Sequence, residues 1–182
     1  VGFYGAPSPR RIGIWKALCK ELEERGSKIK PLWFQGWGEQ LVHIINRCKI
    51  VLNIHFEDML NTESRIYEVL GCGGFCLSEP ISCPELFVDA IHLEIGKASR
   101  MAERIIELLS RHDDYLERIG NSGKEYIHTR FNIVNVLNSL IKKCKGILIP
   151  SENQVDVKPQ IESHTNIHCE RLRGGEKCTC IY

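Results

Sequence analysis

Two side chains one helical turn apart, Arg65 and Glu68, hold the chemistry with the most definite shape in this sequence. A guanidinium can grip a diphosphate through paired hydrogen bonds and offset the charge that builds as a bond to it breaks. A carboxylate at the rim of an α/β sheet can accept two hydrogen bonds from the vicinal diol of a ribose. The same pair could instead form an i,i+3 surface ion pair worth ~0.2–0.5 kcal/mol. Arg10 and Arg11 follow the turn Ala6-Pro-Ser-Pro, close to the start of a helix. There they form either an anion site together with helix amides or a solvated basic patch. Asn53, His55 and Asn61 are further candidates for a ligand pocket. Glu85 opens either a short helix whose amides face that pocket or a plain cap. His55 could equally be a satisfied polar residue.

These residues need a sheet edge to bring them together. The stretch Lys49–Pro80 reads as strand, loop, helix, strand. Ile50, Val51, Leu52 and Ile54 make the near-continuous apolar run of a strand covered on both faces. Asn53 and His55 fall at its carboxyl end, where open α/β sheets place ligands. Thr62 is the expected N-cap of the next helix and Gly71 its end. GGFCLSEP returns as a second buried strand, stopped by Glu79-Pro80. Upstream, VGFYG and residues 28–34 read as strands. The helix between them carries Trp15, Leu18, Cys19 and Leu22 on one face. A helix with Leu41, Ile44 and Ile45 leads into the central unit. Downstream, 91–95 alternates like an edge strand.

Three helical stripes follow: Met101, Ile105, Leu108 and Leu109; Leu116, Ile119, Tyr126 and Ile127; and Val134, Leu137, Leu140 and Ile141. Gly120 and Gly123 would allow close packing. Strands alternating with helices predict an α/β, Rossmann-like, mostly parallel doubly wound sheet of about five or six strands. The C-terminal helices are expected against its flank. The ordered domain is read as 1–149, followed by a loosely ordered polar tail over 150–182.

The run LNIHFEDMLNTESRIYEVLGCGGFCLSEPI, with PELF after it and HTRF at 128–131, resembles the C-terminal domain of group 1 glycosyltransferases. It is most similar to CgeB-type (spore maturation) members, which carry LNIH followed by N-x-R-x-(F/Y)-E-x-L-x-C-G. The likeness runs in order from about Val1 to Leu140. It implies the donor-binding half of a two-Rossmann (GT-B) architecture, working on a UDP-, GDP- or similar nucleotide sugar with no metal and no other cofactor. Glu68 would bind the ribose and Arg65 the diphosphate, and family members place a basic residue where Arg10 and Arg11 stand. An acceptor of unknown kind would be bound by a second domain, upstream or in trans. Many relatives carry E-x7-E, but Leu60 stands eight residues before Glu68 and Glu63 is out of step. The first glutamate's role is therefore unassigned. A non-catalytic nucleotide-sugar or protein-binding module is the competing reading. A flavodoxin-like regulatory domain is disfavoured, because VGFYG carries no acidic cluster.

Composition agrees with a chain of this kind. In 182 residues, 24 Lys and Arg against 23 Asp and Glu leave a net charge of +1, which argues against nucleic acid or an anionic membrane as main partner. Residues 1–32 are locally basic, with seven cationic and three acidic side chains. No apolar run approaches the ~20 residues of a membrane span. The nine cysteines lie mostly singly beside apolar elements and suggest reduced thiols in a cytoplasmic setting. His164, His168, Cys169, Cys178 and Cys180 could be offered to zinc, but C-x8-C-x-C does not match the paired spacing of structural sites. Reduced thiols in a tail are the expectation. No G-x-G-x-x-G or G-x4-G-K-[ST] is present.

Overall fold

The computed structural model describes residues 1–111 and 113–148. Five parallel strands form one sheet in the order β2-β1-β3-β4-β5. They are β1 (Gly2–Tyr4), β2 (Leu32–Phe34), β3 (Val51–Asn53), β4 (Cys76–Ser78) and β5 (Glu94–Ile95), an edge strand as expected but only two residues of the segment 91–95, in which Leu93 and Glu94 are buried side by side rather than alternating. Helices α1 (Pro9–Glu24), α2 (Gly38–Arg47) and α3 (Ser64–Gly71) make the crossovers. A short 3-10 turn at Ala98–Arg100, α4 (Met101–Ser110), α5 (Asp113–Arg130) and α6 (Ile133–Leu148) follow. The predicted α/β, doubly wound parallel sheet is the one observed.

Alternation along the short strands builds two cores. Phe3, Leu52 and Leu77 point to the side of α1 and α4, together with Leu18, Leu22, Met101, Ile105 and Leu108. Their neighbours Tyr4, Val51 and Cys76 point the other way, towards α2 and α3, with Ile45, Ile66, Val69 and Leu70. This explains the unbroken apolar run of β3, because each face of a central parallel strand meets a helix layer. Each large side chain so buried contributes roughly 1.5–3 kcal/mol.

α5 crosses both layers. Leu116 and Ile119 enter the first core, while Tyr126 and Ile127 cover the second. Gly120 and Gly123 permit the approach, since a Cβ at Gly120 would stand 2.5 Å from the Gly73 carbonyl oxygen.

Three local expectations are corrected. Glu63, not Thr62, holds the N-cap position of α3; Thr62 Oγ1 pairs instead with Ser82 Oγ at 3.0 Å. Residues 84–86 form a turn, so Glu85 starts no helix. Among the described residues the third apolar stripe is only half buried: Val134, Leu137, Leu140 and Ile141 are each about half exposed. Amphipathic periodicity specifies a helix, not the surface that will bury it. Internal contacts group Val1–Val136 as one unit and place the residues from Leu137 in a second. The tail over 150–182, with the histidines and cysteines weighed for zinc and read as reduced thiols, lies outside the described residues.

Candidate functional site

The strand order reverses between β1 and β3. At such a point the loops leaving two adjacent strands diverge to opposite faces and open a crevice at the carboxyl edge. β1 runs out at Gly5, whose φ of +137° turns the chain towards α1. Ser8 caps that helix, accepting from the Arg11 amide at 3.2 Å and donating to the Phe56 carbonyl at 2.7 Å. The cap sets Arg10 and Arg11 on the first turn, over the end of β3.

Arg11 is buried. Its Nε donates to the Ile54 carbonyl at 2.9 Å, Nη1 to the Ala6 carbonyl at 3.1 Å and Nη2 to Glu63 Oε2 at 2.6 Å. The guanidinium lies between the rings of Phe3 and Phe56. Burial first, and then the charge of Arg65, pull its pKa below the ordinary arginine value. Arg65 is buried beside it, over the rings of Phe3 and Tyr4. Its Nη1 donates to Asn53 Oδ1 at 2.7 Å and to Glu63 Oε2 at 3.0 Å, while Nε has no partner. Arg10 is partly exposed and makes a forked pair with Glu79, at 2.8 and 2.5 Å, that holds its proton more tightly than usual.

Two carboxylates therefore organise the rim. Buried Glu79 also accepts the His55 amide at 2.7 Å. Glu63 accepts the Phe56 amide at 3.1 Å as well as both guanidiniums. Burial would raise the Glu63 pKa, but His55, Arg65, Arg11 and the Phe56 amide outweigh it and hold the carboxyl down to about 2. His55 is buried, with Nε2 2.7 Å from the Pro80 carbonyl, which requires a proton on that nitrogen. Nδ1 lies 3.6 Å from Glu63 Oε1, too far for a hydrogen bond. Burial opposes protonation of the ring, yet the neighbouring acceptors raise its pKa overall.

The structure thus gathers Arg10, Arg11, Asn53, His55 and Arg65 into one network. Asn53 is wholly engaged there, accepting from Arg65 and donating to Ser78 Oγ at 2.9 Å. Glu68 stands exposed on α3 and does not pair with Arg65, so the surface ion pair is not formed. Its Oε2 accepts from Tyr4 Oη at 2.6 Å instead. Asn61 and Glu85 are exposed and outside the network. A cavity of about 680 Å³, a size suited to a small ligand, opens at the same edge, lined by Ser8, Arg10, Ile14, Phe56, Asp58 and Ser99 among others. Of the predicted residues Arg10 lines it; Arg65 and Glu68 do not.

Glu63, Glu79, Tyr4 and Gly5 were not singled out from the sequence. Glu79 had a signal: it closes the buried run GFCLS, and the observed register, Asn53 beside Ser78, sets it at the same edge. Glu63 had none beyond its charge, since its partners lie up to 52 residues away.

Fold and site together define a doubly wound α/β domain with a charged crevice at its switch point. The chain belongs to the glycosyl transferase-like family, whose model matches residues 10–142. Its fold is similar to that of HepE from Anabaena in complex with UDP-glucose, with a TM-score of 0.59 at 15% identity over 80% of this chain and 48% of that one. Sucrose-phosphate synthase from Thermosynechococcus elongatus gives 0.57 at 10% identity, over 81% of this chain and 38% of that one. The C-terminal domain of a group 1 family glycosyl transferase (LpcC) from Francisella tularensis gives 0.50 at 16% identity, covering 69% and 66%. Uncharacterized protein L140 of Acanthamoeba polyphaga mimivirus is 27% identical over 92 residues, half of this chain and 27% of that protein. The chain thus spans less than half of HepE or the synthase. No helix among the described residues is long and apolar enough to cross a membrane.

Proposed function

We propose that this chain is the donor-binding half of a GT-B glycosyltransferase of CgeB-type, holding a UDP-, GDP- or similar nucleotide sugar across the carboxyl edge of its sheet. The observation that carries the reading is the placement of Glu68. In a chain of the glycosyl transferase-like family, this carboxylate is exposed at the switch-point edge and held by Tyr4 at the end of β1. It is one turn from a buried arginine. Glu68 binds the ribose diol, and Arg65 with Arg10 or Arg11 holds the diphosphate.

The glycosyl bond to the diphosphate breaks as the acceptor oxygen attacks the sugar. This chain contributes position and cationic stabilisation of the leaving group. The scheme uses no metal ion and no further cofactor. The acceptor is bound by a complementary domain, upstream or in trans, and the compartment is the cytoplasm. The HepE complexes with UDP-glucose and with UDP favour a uridine donor.

A panel of UDP-, GDP- and ADP-sugars tested by calorimetry decides the matter. One nucleotide series is expected to bind, and Glu68→Ala to weaken it tenfold or more, about 1.4 kcal/mol. Unchanged affinity in that variant removes the ribose role; no binding of any nucleotide removes the proposal.

A further inference from the structure

The arginines assigned to the diphosphate are already holding an anion. The side chains of Arg11 and Arg65 are only 5% and 6% exposed, and both end on the same atom, Glu63 Oε2, at 2.6 and 3.0 Å. Their remaining acceptors are neutral: the Ala6 and Ile54 carbonyls and the Asn53 amide oxygen. An incoming anion can therefore reach this pair only in exchange for a group that holds it now, and Glu63 is the charged one. We infer that Glu63 is an internal anion whose place on Arg11 and Arg65 is taken by the donor diphosphate, so that donor binding releases the loop over 56–63. This inference rests on the donor-site reading above.

Three further observations support the exchange. Glu63 Oε1 accepts the Phe56 amide, so one carboxylate both pairs with the two arginines and ties together the two ends of that loop. The loop between carries Met59 and Leu60, 64% and 62% exposed, and its other ties are polar, from Ser8 to the Phe56 carbonyl, Arg10 to Asp58 and Thr62 to Ser82. One buried donor in the cluster, Arg65 Nε, has no partner. The two oxygens of Glu63 already serve both guanidiniums and the Phe56 amide and leave it unmet, whereas a diphosphate offers more acceptors and more charge. Glu63 is ionised at neutral pH, so the exchange is of anion for anion and leaves no guanidinium unpaired in the interior.

The test is calorimetry with UDP and with inorganic pyrophosphate on the full chain and on Glu63→Gln, beside amide hydrogen exchange of Phe56 in the unmodified protein. Glu63→Gln is expected to bind both probes about tenfold more tightly, because the amide competes less well for the two cations. UDP is expected to accelerate exchange at the Phe56 amide. Equal or weaker binding by Glu63→Gln, with UDP still bound by the unmodified chain, overturns the exchange and leaves the donor site standing. Phe56 exchange that is unchanged or slowed by UDP also overturns it, without recourse to any variant. Failure of both proteins to bind UDP and pyrophosphate removes the donor site and this inference together.

Discussion

Tyr4 Oη donates to Glu68 Oε2 at 2.6 Å, joining the last residue of β1 to the middle of α3 across 64 positions of sequence. Burial first, and then the carboxylate it bonds, hold the phenol proton far above its usual range, so the hydroxyl is a fixed donor. One carboxylate oxygen is thereby anchored, which presets the direction of the other.

Tyr4→Phe keeps the ring that packs against Phe34 and removes only the anchor. The fold should persist, and affinity for the bound nucleotide sugar should fall about two- to tenfold, the span of one ordinary hydrogen bond. Calorimetry on Tyr4→Phe, Glu68→Ala and the double variant checks this. If Tyr4 acts through Glu68, the double variant loses no more than Glu68→Ala alone.

Gly5 should not tolerate a side chain. A Cβ there would lie 2.5 Å from Arg65 Nη2 and 3.1 Å from Arg11 Nη1, on a backbone with φ of +137°. Gly5→Ala is expected to cost about 1–3 kcal/mol and to displace both guanidiniums, weakening nucleotide binding as well. Gly13 is the control, a helical residue on α1 whose added Cβ meets nothing within 4 Å. Gly13→Ala should stabilise by about 0.5–1 kcal/mol. Urea unfolding of the two variants should move in opposite directions.

Acid should expose the role of Glu63. Its carboxyl pKa is held down from 4.5 to about 2 in the folded chain. A depressed carboxylate contributes stability that is fully present above the unfolded value and lost as pH falls through the folded one. The loss belongs between about pH 4.5 and 2 and should be on the order of 2–3 kcal/mol. Urea unfolding across that range, compared between the unmodified chain and Glu63→Gln, isolates it: the variant should show the shallower decline.

Gly120→Ala tests the seat of α5. The new Cβ would meet the Gly73 carbonyl oxygen at 2.5 Å, a backbone atom in the turn that ends α3, with Gly73 at φ +76°. Neither element can yield locally, so a loss of about 1–3 kcal/mol is expected. A thermal melt reads it.

The legible parts were those whose physics is local or repeats along the chain. The apolar run Ile50–Ile54 specified a strand covered on both faces, and the spacing of Leu18 and Leu22 specified the inner face of α1. Strand-helix alternation then left a parallel doubly wound sheet as the economical answer. The helix that sets Arg65 and Glu68 one turn apart was legible, and so was Gly120 through the need for close packing. The α3 cap was misplaced because Thr62 found a better partner in Ser82, 20 residues on. The last apolar stripe identified α6 as a helix but carried no information about what covers it.

By itself the sequence determined the elements, their order and the edge at which polar side chains gather, since these follow from side-chain periodicity and from the ends of strands. Only the tertiary structure decided which charges meet. It gave Arg10 to Glu79, gave Arg11 and Arg65 jointly to Glu63, and gave Glu68 to Tyr4. The pairs of Arg10 with Glu79, Arg11 with Glu63 and Tyr4 with Glu68 join positions 69, 52 and 64 apart, which meet only after the sheet has brought its strand ends together. A charged residue alone therefore marks a possible partner, and burial at the crevice selects the one it takes.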